Sequence, residues 1–200
     1  AVWADGPDRI TQSTTAAWSG DVPTALLQQL CNHLTPEVSE VKIAINDDGW
    51  FISVVDSANV CMFRTWLDAA EFKQYNVETP GVMAVNIEDL AETLSHTRGE
   101  SVTVSIKDSE TLLIDDGSTV TIPLLPLESI RDTPDIPDNT INQTLTLPGN
   151  ELHTVFERIH EFADNVVIRS DGERNAVTFE ADSDECEVVK QYSDAGDLVT

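Results

Sequence analysis

Residues 123–140 read PLLPLESIRDTPDIPDNT, and the four prolines, Pro123, Pro126, Pro134 and Pro137, forbid a long helix or a central strand there. The stretch is expected to run extended. On either side of it the chain writes the same pattern. Downstream come a strand-like run from Asn142 to Leu147, a helix opened by Pro148-Gly149-Asn150, and the alternating runs NVVIRS and NAVTFEAD around Asp171-Gly172-Glu173. Upstream, TTAAWS, a helix opened by Asp21-Val22-Pro23, and SEVKIAIN then WFISVVD around Asp47-Asp48-Gly49 keep that order. A strand-helix-strand-strand unit repeated across one connector predicts an α+β protein built from two copies of one domain plan. The boundaries that follow are an N-terminal extension or tag remnant at 1–13, a first domain at 14–124, a connecting loop at 125–140 and a second domain at 141–200.

Two hundred residues suffice for two small domains, each with its own core. The formal charge of −25, from 36 acidic against 11 basic residues, is the extreme feature of the composition. It points to an acidic binding protein, a mimic of nucleic acid, or a surface adapted to concentrated salt. Disorder is disfavoured, because the acids are dispersed and the 40 % of apolar residues are periodic. Only four of the cations are lysines, which suits the salt-adapted reading. At molar salt the Debye length falls to roughly 3 Å, so repulsion among the carboxylates is largely screened.

Cys31, Cys61 and Cys186 are odd in number and lack metal-ligand spacing, so they read as buried, reduced thiols. No apolar run spans a membrane and no secretory signal occurs at the start of the sequence, so a cytoplasmic protein with no membrane partner is expected. No nucleophile elbow, phosphate loop or dinucleotide fingerprint occurs. His153 and His160 read as surface histidines, and the run Asp182 to Glu185 as a solvated hairpin tip. An enzyme is not expected, nor an obligatory cofactor or metal.

Within the first domain, Leu26, Leu27, Leu30 and Leu34 form the apolar stripe of a helix from Pro23 to Leu34, with Thr24, Gln28 and Cys31 toward the other side. A second helix is capped by Asn86 with Asp89 three residues on, buries Ile87, Leu90, Ala91 and Leu94, and stops at Gly99. Three strands follow: SVTVSIKD, TLLIDD and STVTIPLL.

VDSANV (55–60), LDAAEFKQY (67–75) and GVMAVNIEDL (81–90) resemble the proliferating-cell-nuclear-antigen sliding clamps, most closely those of halophilic archaea. Ser129-Ile130-Arg131 with Pro134-Asp135-Ile136-Pro137-Asp138 is similar to the interdomain connecting loop of archaeal clamps. The resemblance covers about Thr14 to Thr200. It implies duplicated clamp domains, helices on one face of curved antiparallel sheets, and subunits joined head to tail in a homotrimeric ring around duplex DNA. The implied function is that of a DNA polymerase processivity factor that recruits polymerase, clamp loader, nuclease and ligase through short peptides. The implied peptide groove comprises Val55, Asn59, Val60 and Met62 with Ile130, Ile136 and Pro137. The implied ring contact pairs Ser118 to Leu125, with Val120 and Ile122, against Cys186 to Tyr192, with Val188, Lys190 and Tyr192.

Matching helix to helix puts Thr24, Ala25, Gln28 and Cys31, then Glu92 and Ser95, then Thr154, Glu157 and Glu161 toward the DNA. Arg98 and Arg158 are the cations near enough to meet phosphates. Members of the family continue past the end of this chain with another helix and several strands, so a fragment or a short clamp is implied. Two other classes remain open: a clamp-like adaptor or checkpoint subunit, and an acidic binding protein that forms no ring.

Overall fold

A computed structural model describes residues 14–58, 61–133, 149–171, 176–182 and 187–193. The extension at 1–13, the expected strand at 142–147, Cys186 and the tip at 183–185 lie outside the described residues. The chain divides into two units, 1–135 and 136–200.

Among the described residues the first unit holds nine strands and two α-helices in the order β1 (Ala17–Pro23), α1 (Thr24–Leu34), β2 (Glu40–Asn46), β3 (Gly49–Val55), β4 (Met62–Asp68), β5 (Gln74–Thr79), β6 (Gly81–Asn86), α2 (Ile87–Ser95), β7 (Ser101–Lys107), β8 (Thr111–Asp115) and β9 (Thr119–Pro123). They form two antiparallel sheets, ordered β5-β1-β7-β8-β9 and β4-β3-β2-β6. The unit has an internal plan of its own. The strand before each helix pairs with the strand after the other, β1 with β7 and β2 with β6, and the helices lie together.

One face of every strand feeds a single core. Val41, Ile43 and Ile45 of β2, Trp50 and Ile52 of β3, and Met83 and Val85 of β6 are buried against Leu27, Leu30, Leu90 and Leu94 of the helices. Each fully buried aliphatic side chain of this kind contributes roughly 1.5–3 kcal/mol of transfer free energy. At one end Trp18, Trp50, Phe72 and Tyr75 cluster: Trp18 meets Trp50 and Phe72 edge to face, with the two indoles 4.9 Å apart, and the remaining pairs are tilted. The Tyr75 hydroxyl donates to Asn46 O at 2.8 Å, and burial, then the carboxylates of Asp47 and Asp48, raise its pKa.

Local chemistry accounts for the joints. In α2 the Asn86 carboxamide oxygen accepts from the amides of Glu88 and Asp89, and two acids in the first turn complement the helix dipole. In the β2–β3 turn Asn46 Oδ1 accepts from Asp48 N and Gly49 N. Gly49 has φ 145, and a Cβ there would lie 2.0 Å from Leu67 O, so only glycine fits.

Two expectations are corrected. The first strand begins at Ala17 and runs through Asp21-Val22-Pro23, because β5 and β7 pair with it on both sides. The connector is not extended throughout: Leu127–Ser129 forms a 3-10 turn in which Ser129 N and Oγ both donate to Pro126 O. Pro123 closes the edge strand β9, where a missing N–H costs least.

The second unit holds α3 (Gly149–His160) and an antiparallel sheet ordered β10 (Val167–Asp171), β11 (Ala176–Asp182) and β12 (Glu187–Ser193). Val155 and Ile159 of α3 pack with Val177, Phe179 and Ala181 of β11.

Candidate functional site

The outer face of the four-stranded sheet carries the connector. Strand alternation puts Lys42 of β2, Phe51, Ser53 and Val55 of β3, Met62 and Arg64 of β4 and Ala84 of β6 on that face. Ala84 pairs with Lys42, and Ser53 with Arg64. Ile43 faces Ile52, so the next step of the ladder brings Lys42 beside Ser53. The four residues thus make one row across the strands, and the connector follows it. Leu125 N donates to Ala84 O at 2.8 Å, Lys42 Nζ meets Asp132 Oδ1 at 2.7 Å, and Thr133 Oγ1 donates to Ser53 O at 2.7 Å.

Between the connector and the sheet lies a groove of about 470 Å³. Val38, Val54, Val55 and Ile130 give it apolar walls, and Glu37, Glu40 and Asp132 place carboxylates along it. Of the groove residues expected from sequence, the structure brings Val55 and Ile130 together. Met62 pairs with Val55 across β3 and β4 and is half-buried without lining the groove. Asn59, Val60, Ile136 and Pro137 lie outside the described residues. Sequence reasoning missed the wall from Glu37 to Glu40 at the start of β2, and it missed Asp132 and Thr133. The signal for the latter pair was their place inside the connector motif; the wall left none.

The two strands expected to join subunits are both sheet edges among the described residues, β9 in the first unit and β12 in the second. Val120 and Ile122 share a face of β9, but Ile122 is buried against the core while Val120 is 43 % exposed. Leu124 N donates to Glu110 O at 2.7 Å, which fixes the ladder phase. Even positions bond to β8, so the amides of Thr119 and Thr121 point outward and Pro123 gives up only an outward donor. In β12 the backbone of Val188 pairs with Ala181, Lys190 lies 5.1 Å over the Tyr192 ring, and Tyr192 packs on Phe179.

The helix face differs from expectation. Thr24 and Cys31 are buried, and Gln28 Nε2 donates to Leu94 O at 3.0 Å. Thr24 Oγ1 donates to Gly99 O at 2.7 Å. Thr24 and Cys31 therefore cannot face a ligand, whereas Gln28 is half-buried and Ala25, another of the expected positions, is exposed. The open flank is Ala25, Gln29 and Asn32, roughly one residue's rotation away. Burial pushes the Cys31 thiol up to about 12, so it is unreactive. Cys61, also expected to be buried, is an exposed free thiol. Glu92, Ser95 and Arg98 are exposed at α2, and Thr154, Glu157, Arg158 and Glu161 at α3. The Ser95 and Thr154 hydroxyls donate to Glu92 O and Asn150 O within their own helices. No Lys or Arg lies within α1 or α2, whose first turn instead carries Glu88 and Asp89.

His153 Nε2 lies 3.2 Å from Glu157 Oε1 one turn along α3. Among the described residues no group of three His, Cys, Asp or Glu is placed to hold a metal, and no helix is long and apolar enough to cross a membrane.

Residues 22–121 match the family described as proliferating cell nuclear antigen, N-terminal domain. The DNA polymerase sliding clamp of Methanothrix thermoacetophila is 34 % identical over 134 residues, covering 66 % of this chain and 54 % of that protein. That of Haloarcula marismortui is 28 % identical over 177 residues, covering 86 % and 71 %. Among solved structures, A. fulgidus PCNA bound to the C-terminal region of FEN-1 superposes with a TM-score of 0.82 at 21 % identity, over 88 % of this chain and 72 % of that one. PCNA from Entamoeba histolytica gives 0.75 at 16 %, over 89 % and 74 %. The fold is that of the sliding clamps. The chain belongs to the proliferating cell nuclear antigen family.

Proposed function

We propose that this chain is a DNA polymerase sliding-clamp subunit, a processivity factor that closes into a homotrimeric ring around duplex DNA in the cytoplasm. The observation that carries this reading is the clamp-fold unit with a connector laid across the outer face of its sheet, leaving a groove walled by Val38, Val54, Val55 and Ile130. Such a groove suits the apolar side of a short peptide from a polymerase, nuclease, ligase or clamp loader. A ring tethers such partners and raises their local concentration, so it performs no chemistry of its own.

The assembly would come from two unlike edges, β9 and β12, each with unpaired backbone groups among the described residues. Because the edges differ, the contact is heterologous and closes only by rotation, as a three-fold ring does. The test is the mass in solution at molar KCl by light scattering. A mass near three times the 21.9 kDa monomer is expected; a monomer at all concentrations would overturn the ring.

A further inference from the structure

The row Ala84, Lys42, Ser53 does more than run beneath the connector. It ties the connector at three consecutive strands, and the central tie is made by a lysine in a chain with only four. Lys42 projects from the middle of the four-stranded sheet, flanked by β3 and β6. Its side chain is only 13 % exposed, whereas Asp132 is 83 % exposed. An ammonium so enclosed needs a fixed anionic partner, and Asp132 supplies one at 2.7 Å. Thr133 then donates to the buried Ser53 backbone beside it.

We propose that Lys42 is a positioning residue for the groove: through Asp132 it latches the connector to the sheet and fixes the distance between Ile130 and the Val54–Val55 wall. Lys42 does not line the groove; Ile130, Asp132 and Thr133 do. Its effect on a bound peptide is therefore indirect, through the connector it restrains. Without the latch the segment after the 3-10 turn is held less firmly, and a peptide must bear more of the cost of ordering it. The proposal rests on the peptide-groove reading above for its consequence, but the latch has its own readout.

Trypsin cleavage after Arg131, which is exposed beside Asp132, reports the release of the connector. Lys42→Met keeps the stem and removes the charge, and it leaves the residues flanking the cleaved bond unchanged. Cleavage at Arg131 under native conditions is expected to rise about 5-fold in Lys42→Met, the size of a well-formed charge-assisted contact at a protein rim. Binding of the C-terminal peptide of FEN-1 in titration calorimetry is expected to weaken by a similar factor. The exchange Lys42→Asp with Asp132→Lys should recover that affinity in part, which a merely space-filling lysine would not allow. Cleavage at the native rate in folded Lys42→Met, and equally in Lys42→Gln, would overturn the latch. Native chain that shows the cleavage difference yet binds no peptide would overturn the groove reading and leave the latch standing.

Discussion

The two units carry the same local plan, a helix followed by an antiparallel hairpin, yet they bury it differently. In the first, α1 places Leu27, Leu30 and Leu34 in the core beside α2, and β2 is an interior strand between β3 and β6. In the second, α3 buries only Val155 and Ile159, Phe156 is 38 % exposed, and all five residues of β10 are exposed, Ile168 at 55 %. Periodicity predicts which side of an element is apolar. Whether that side is dry depends on neighbours: α2 and β6 cover the first hairpin, and no described residues play those parts for the second. An apolar surface left open in this way costs stability that local sequence does not reveal.

That contrast can be broken by mutation. Leu90→Ala in the core stripe of α2 should lower stability by ~3 kcal/mol in urea denaturation, since the side chain is 1 % exposed and its loss leaves a cavity. Ile168→Ser in β10 should change it by less than ~0.5 kcal/mol. Equal losses would mean that the β10 face is covered after all. Because the charge of −25 burdens both units, the melting temperature of the whole chain should rise from dilute buffer to molar KCl. A flat or falling melting temperature would remove salt adaptation from the account.

Edges sharpen the same comparison. Thr121→Pro removes an outward amide from β9 while sparing its bonds to β8, so folded chains that no longer assemble are expected in light scattering. Val120→Pro removes an inward one and should lower stability as well. Assembly untouched by Thr121→Pro would place the subunit contact elsewhere.

Asn86→Ala should cost ~1 kcal/mol in the same urea assay, through the loss of two capped amides. The smallest effect concerns pH. The amide of Gly117, then the hydroxyl of Thr119, hold the Asp115 carboxyl below its ordinary range. A depressed folded pKa contributes stability above the unfolded value, and that contribution fades as pH falls through the folded value. Asp115→Asn should therefore flatten the acid limb of the stability curve slightly, and an unchanged limb would show the turn to be uncoupled.

How much was legible follows from where each signal resides. Helix α2 could be read in its cap and its stripe of Ile87, Leu90 and Leu94, which are local, but it ends at Ser95 with His96 as its cap, four residues before the expected stop at Gly99, and Ala91 is only half-buried. The facing of α1 was misjudged in part: Thr24 and Cys31 are buried, and Thr24 and Gln28 spend their polar atoms on Gly99 O and Leu94 O, whereas Ala25 is exposed. Connector and groove were recognised as motifs, yet the contact between Lys42 and Asp132 spans 90 residues and follows from no local pattern. Strand alternation shows that Lys42 faces away from the core; only the register shows what it meets.

On the clamp reading proposed above, closure and not attraction holds the chain on DNA. Helices α1 and α2 offer no Lys or Arg; among the described residues Arg98, past the end of α2, and Arg158, within α3, are exposed cations, and Lys73 is exposed near the start of α1, where its ammonium bonds Ser101 Oγ. A site of that kind releases few counterions and gives little affinity for phosphate. The direct measurement is retention on a nicked circular duplex after loading, compared with binding of a short linear duplex at low salt. The account predicts retention on the circle, loss when the circle is cut, and negligible binding of the linear duplex. Tight binding of the short linear duplex that weakens steeply with salt would contradict it.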